Sequence, residues 1–143
     1  MQEGTSRTRL DPDHGERFLA LRRQLGITSF GINQIVLQSG QRLRIHRHHQ
    51  QEEVYLVLEG CLTLLLEDGE LELYEGELVR VAPELRRQLV NRGPARLTLI
   101  ALGGHGEHQG RDGEAFTSWE EQVGSSPADI PLPEDLEPGE LRT

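Results

Sequence analysis

The sequence predicts an all-β fold, a small barrel or sandwich of short antiparallel strands. Two observations carry that reading. Between Ile27 and Leu102, apolar and β-branched runs recur about every ten residues. Turn signals separate them: Ser39-Gly40, Asp68-Gly69, Glu75-Gly76 and Asn91-Arg92-Gly93-Pro94. With 143 residues, the chain has the length of one domain and enough material for a sizeable core.

In chain order, residues 1–26 read as an N-terminal arm and short helix. The first 13 residues are polar. Asp13 is then placed to cap a helix over HGERFLALRRQLG, with Phe18, Leu19, Leu21 and Leu25 on its apolar side and Gly26 as its stop. Residues 27–102 read as the barrel. The expected strands are ITSFGINQIVLQSGQ, QRLRIHRH, EVYLVLEGCLTLLLE with a break at Gly60, ELELYEG, ELVRVAP, LRRQLVN and ARLTLIALGG. Asp68-Gly69 is the strongest hairpin signal among them. Residues 103–143 are rich in Gly, Pro and acidic residues and read as an extended tail, with Phe116 and Trp119 as its large anchors.

Composition narrows the function. A formal net charge of −9 argues against nucleic acid and anionic membrane as partners. All 15 basic residues are Arg, which excludes Schiff-base chemistry and a lysine general base. Cys61 is alone, so no internal disulfide forms, in keeping with a reducing compartment. The N-terminus lacks a secretory apolar segment and no apolar run reaches membrane-spanning length, so a cytoplasmic protein is expected.

The chemistry concentrates in residues 40–60, GQRLRIHRHHQQEEVYLVLEG. Residues two apart on a strand share a face, so His46 and His48 point the same way, with Cα atoms about 7 Å apart. Residues 49–52 are polar and read as a loop. Glu53 opens the returning strand and lies across the ladder from the imidazoles. Two imidazoles and one carboxylate converging from two strands make a mononuclear metal site with open positions. Tyr55 shares the face of Glu53 and either lines the pocket or packs in the core. Arg42 and Arg44 share the parity of His46, and Arg44 lies either at the pocket mouth or on the surface. His49 reads as a solvated loop residue, as do His105 and His108 on a Gly-rich loop.

The same residues resemble the cupin superfamily. Its first motif, G-x5-H-x-H-x3/4-E-x6-G, is matched by Gly40, His46, His48, Glu53 and Gly60. Its second, G-x5-P-x-G-x2-H-x3-N, is matched at its ends by Gly76 and Asn91, but Ala82, Glu84 and Arg87 stand where the motif has proline, glycine and histidine. The resemblance implies a double-stranded β-helix (jelly-roll) barrel, with one divalent metal inside, bound in the family by three histidines and one glutamate. Carried over position by position, this chain supplies His46, His48 and Glu53. Arg87 takes the place of the third histidine and cannot donate a lone pair.

Two readings follow. In one, Fe, Mn, Ni or Zn is held by the three ligands, Arg87 binds an anionic small molecule, and dioxygenase or isomerase chemistry results. In the other, Arg87 pairs with Glu53, no metal is bound, and the barrel is a small-molecule binding or sensing pocket. A register slip of one residue would turn Gln88 inward instead of Arg87. Several strands are apolar on both faces: Tyr55 and Val57 lie on one side of their strand, Val54, Leu56 and Leu58 on the other. A barrel has one interior, so a second subunit is expected to cover the outer face in a homodimer. Sedimentation at micromolar concentration checks this, and a stable monomer would reject it.

Overall fold

The computed structural model describes residues 2–104 and 112–142. Alternation along β4 (Glu52–Glu59) shows how the barrel is built: Glu53, Tyr55 and Val57 are buried, while the residues between them face outward. Among the described residues, ten strands form two five-stranded antiparallel sheets. The first sheet runs, in spatial order, β1 (Phe18–Ala20), β2 (Gly31–Leu37), β9 (Leu97–Gly104), β4 and β7 (Leu78–Val81). The second runs β10 (Gly113–Phe116), β3 (Ile45–His48), β8 (Arg87–Val90), β5 (Leu62–Leu66) and β6 (Gly69–Leu73). The sheets enclose one apolar core that includes Ile35, Leu37, Val57, Leu62, Leu64, Leu89, Leu97 and Leu99. This is the barrel that the strand and turn pattern predicts.

The two motif glycines of the site hairpin have physical reasons. Gly60 separates β4 from β5 at φ +83°, where a Cβ would sit 2.4 Å from the Arg96 carbonyl oxygen. No side chain fits there, and the left-handed φ adds strain for any residue but glycine. Gly40 turns the chain into β3 at φ +86°, and its carbonyl accepts from the Leu136 N–H at 2.8 Å.

Two stretches behave differently from their local composition. The N-terminal helix is real but short: α1 covers Leu21–Leu25 and is preceded by strand β1. Its cap position is Ala20 with no side-chain cap, and Asp13 instead pairs with Arg96 at 2.8 Å. The reason is tertiary. The free edge of β2 accepts the backbone of Phe18–Ala20 in the register Phe18↔Ile35 to Ala20↔Asn33. A five-residue helix has too few bonds to compete with that edge and survives by burying Leu21. Gly26 ends it in the left-handed conformation, as its position suggests.

The C-terminal tail is tied to the barrel along much of its length. β10 pairs with β3, from Gly113↔His48 to Phe116↔Ile45. Phe116 is 2% exposed and lies beneath the guanidinium groups of Arg86 and Arg47, 4.8 and 5.4 Å from its ring centre. Trp119 is half-buried in an open surface hollow beside Leu65, Leu66 and Arg86. Further on, Arg42 donates to the Glu134 carbonyl at 2.8 Å and the Arg142 N–H donates to the Arg92 carbonyl at 2.7 Å.

The outer face of the first sheet carries Leu78 at 62% and Leu58 at 39% exposure. It is the surface that the expected second subunit would cover. No helix among the described residues is long and apolar enough to cross a membrane.

Candidate metal centre

The site lies inside the barrel where β3, β8 and β4 face one another. His46 and His48 project from β3, Glu53 and Tyr55 from β4, and Arg87 from the start of β8. His46 and Arg87 are direct partners in the β3–β8 ladder. That pairing fixes the register and turns Arg87, not Gln88, toward the histidines.

Glu53 Oε1 is the focus of the cluster. The Tyr55 hydroxyl donates to it at 2.6 Å and Arg87 Nη2 donates to it at 3.0 Å. His46 Nε2 stands 3.4 Å and His48 Nε2 3.2 Å from the same oxygen. The Arg87 contact is a single N–H on a single oxygen, not the two-pronged fork of the strongest Arg–carboxylate pairs. Arg87 is completely buried, and its other donors go to the Tyr55 hydroxyl, the Pro83 carbonyl and the Leu85 carbonyl. Burial alone would raise the Glu53 carboxyl, but the imidazoles of His46 and His48 outweigh it and hold the group well below the usual carboxylate range. Burial, with the Glu53 charge beside it, pushes the Tyr55 phenol well above its ordinary value, so Tyr55 stays a donor.

The ring nitrogens indicate what the cluster can hold. His46 Nδ1 faces the Arg44 carbonyl at 3.2 Å. A carbonyl only accepts, so this contact assigns the proton to Nδ1. His46 Nε2 faces Glu53 Oε1 at 3.4 Å, where it donates to the carboxylate when it carries a proton and offers a lone pair to a cation when it does not. Both ring nitrogens of His48 are buried without a hydrogen-bond partner among the described residues. The donor atoms of His46, His48 and Glu53 all lie within 4.8 Å of one another. Two ligands of a tetrahedral ion with bonds of about 2.0–2.1 Å stand about 3.3 Å apart. The two carboxylate–imidazole separations match that spacing, so the residues suit a divalent cation in donor type and in the placing of Glu53 against each imidazole.

The other candidates from the sequence are placed as follows. Tyr55 is fully buried, within the core, and its hydroxyl donates to Glu53. Gln88 points away from the cluster and donates to the Leu43 carbonyl at 2.9 Å. Arg44 does not reach the site; its Nε donates to the Ile130 carbonyl at 2.5 Å and so holds the tail. The carbonyl of Arg44, not its charge, serves the site. His49 is exposed on the β3–β4 turn, 3.6 Å from Glu114. His105 and His108 lie outside the described residues.

Two features were not foreseen. Strand β10 walls the site with its smallest residues: Gly113 lies opposite His48, and Ala115 opposite His46. A Cβ at Gly113 would come within 3.8 Å of His48 Cε1 and 3.2 Å of Pro127. Asp112, just before β10, accepts from the backbone N–H groups of Gln50 and Gln51 at 2.8 and 2.7 Å. It thereby pins the turn between the histidines and Glu53, and its carboxylate lies 3.8 Å from His48 Nδ1. The only local signal for this was an acidic residue opening a short GEAF run inside a polar tail.

Fold and site together define a small jelly-roll protein with a His-His-Glu cluster inside the barrel. The Cupin domain family model (Cupin_2) matches residues 33–103, and the chain belongs to the cupin superfamily. Among solved structures, it is similar to a sugar phosphate isomerase from the cupin superfamily of Silicibacter pomeroyi. The two are 28% identical, the match covers 71% of this chain and 65% of that one, and the TM-score is 0.60. A cupin protein from Bacteroides fragilis shares 19% identity over 73% of this chain and 86% of its own, with a TM-score of 0.64, a likeness of fold. A curated relative, an uncharacterized protein of Methanocaldococcus jannaschii, is 25% identical over 65 residues, 46% of this chain and about half (52%) of that protein.

The Asp112 carboxylate also contributes to stability in a pH-dependent way. Burial raises the carboxyl, but the backbone N–H groups of Gln51 and Gln50, with the nearby imidazoles of His48 and His49, more than offset this, so the group ends below its ordinary value. A depressed folded-state value means that the stabilisation is present above the unfolded value, about 3.9, and fades as pH falls through the folded one. Asp112→Asn is therefore expected to lower stability by roughly 1–3 kcal/mol at neutral pH. The gap from the parent protein should narrow as pH drops below about 4, read by denaturant unfolding at several pH values.

Proposed function

We propose that this cupin holds one divalent transition metal, Fe, Mn, Ni or Zn, through His46, His48 and Glu53, and acts on a small anionic molecule in an isomerase-type reaction. The observation that carries the metal is the pair of buried His48 ring nitrogens, which have no hydrogen-bond partner among the described residues while Nε2 faces Glu53 Oε1 at 3.2 Å. Buried polar atoms without partners are rare and costly, and a bound cation meets the need. The isomerase class is supported by the Silicibacter protein, which is named a sugar phosphate isomerase. Two histidines and one carboxylate with open positions also suit an oxygen-activating iron site, so an oxygenase is the neighbouring class.

When bound, the ion would supply a Lewis acid that polarises an oxygen of the ligand. The chain's own residues do the rest. The Arg44 carbonyl fixes the His46 tautomer and orients its ring. The Tyr55 hydroxyl and Arg87 hold Glu53 in one rotamer. Asp112 fixes the turn that sets the distance between β3 and Glu53. The small faces of Gly113 and Ala115 leave room for the imidazoles while closing that side of the barrel.

A second reading is favoured by one contact, Arg87 Nη2 on Glu53 Oε1 at 3.0 Å. There, Arg87 replaces the metal and the barrel is a metal-free binding or sensing pocket. Thermal unfolding separates the two. After chelation and dialysis, adding Mn(II), Fe(II), Ni(II) or Zn(II) is expected to raise Tm, with a gain of about 2.7 kcal/mol when the ion is at 100 times its Kd. His48→Ala should abolish the gain. No shift with any of the four ions, together with no metal in the freshly purified protein, would select the metal-free pocket.

A further inference from the structure

Arg87 imposes a charge condition on the site. Its guanidinium is wholly buried, and four of its N–H donors are taken, by the Tyr55 hydroxyl, the Pro83 and Leu85 carbonyls and Glu53 Oε1. A guanidinium held on three sides does not swing away, and it does not lose its proton in a protein. The positive charge therefore stays against the ligand set whether or not a metal is present.

The charge count is short. His46 and His48 ligate as neutral rings. Glu53 contributes one negative charge, and Arg87 already balances it at 3.0 Å. The next carboxylate is Asp112, 3.8 Å from His48 Nδ1 on the other side of that ring, and it is committed to two backbone amides. A divalent ion would bring two positive charges to a cluster with at most one uncompensated negative charge. Buried charges interact strongly because little water screens them, so the shortfall weakens the ion's binding.

We infer that the metal and an oxyanion, the phosphate or carboxylate group of a small molecule, bind this site cooperatively, with Arg87 as the source of the coupling. The inference rests on the metal reading proposed above and deepens it. The ion alone binds weakly. An oxyanion in one of its open positions supplies the missing negative charge, and both then bind tightly. Coupling of this kind is reciprocal, so the metal strengthens the anion's binding by the same factor. In this arrangement Arg87 is a positioning residue: it selects for charged ligands through the metal rather than by touching them.

The test is Co(II) binding, followed by absorbance and by calorimetry, in buffers of equal ionic strength made with perchlorate or with millimolar inorganic phosphate. Co(II) affinity is expected to rise about tenfold or more with phosphate, within the usual range of such couplings. In Arg87→Gln the Co(II) affinity should rise without phosphate, and the phosphate effect should disappear. Equal Co(II) affinity of the parent protein in the two buffers overturns the inference while leaving the metal site in place. An equal phosphate effect in Arg87→Gln overturns the assignment to Arg87. No Co(II) binding in either buffer overturns the metal reading and the coupling with it. Should Arg87→Gln not fold, the comparison in the parent protein decides the inference.

Discussion

One carboxylate oxygen, Glu53 Oε1, organises the interior of this barrel. A hydroxyl and a guanidinium donate to it, and two imidazole nitrogens face it at 3.2 and 3.4 Å. An ionised carboxylate is costly to bury unless it is paired and hydrogen-bonded. Here the pairing comes from β8, the hydroxyl from β4 itself and the imidazoles from β3. The charge of Glu53 is thus the reason that Arg87, Tyr55 and the histidines share one site, and removing any partner leaves the others mismatched.

The fold supplies the precision. The single β3–β8 register pair His46↔Arg87 brings the cation to the place where the family carries a third histidine. The inward alternation of β4 puts Glu53 and Tyr55 on the same side, and Asp112 fixes the turn between the two arms of the hairpin. The tail does more than cover a surface. Through β10 it becomes the edge of the second sheet, and its two smallest inward residues shape the wall beside the rings. The distal tail is held by arginines of the barrel, Arg42 and Arg44, through backbone carbonyls.

Much of this was legible in the sequence, for identifiable reasons. Strand periodicity is local, so spacing alone put His46 and His48 on one face and Glu53 opposite them. Turn chemistry is local too, and Gly40, Gly60 and Asp68-Gly69 marked the hairpins. The placement of Arg87 followed from motif spacing. What stayed hidden depends on distant partners. The Phe18–Ala20 segment has a helical apolar pattern but pairs with an exposed strand edge. The residues of β10 sit in a polar, glycine-rich stretch, and their strand state exists only because β3 offers an edge to pair with. The parity of Arg44 suggested a pocket residue, yet a long side chain just ahead of the strand turned to the Ile130 carbonyl instead. Parity gives the face of a backbone position, not the destination of a flexible side chain.

The chain thus combines an intact His-His-Glu set with a fixed cation in the fourth position, and the central claim is that a metal ion occupies the first despite the second. Anomalous diffraction at the Mn, Fe, Ni and Zn absorption edges, from crystals of protein purified without chelator, tests this most directly. The account predicts one anomalous peak bonded to His46 Nε2, His48 Nε2 and Glu53, with Arg87 still seated on the Pro83 and Leu85 carbonyls. An anomalous map with no peak among these three residues, and Arg87 forked across both oxygens of Glu53, would contradict it.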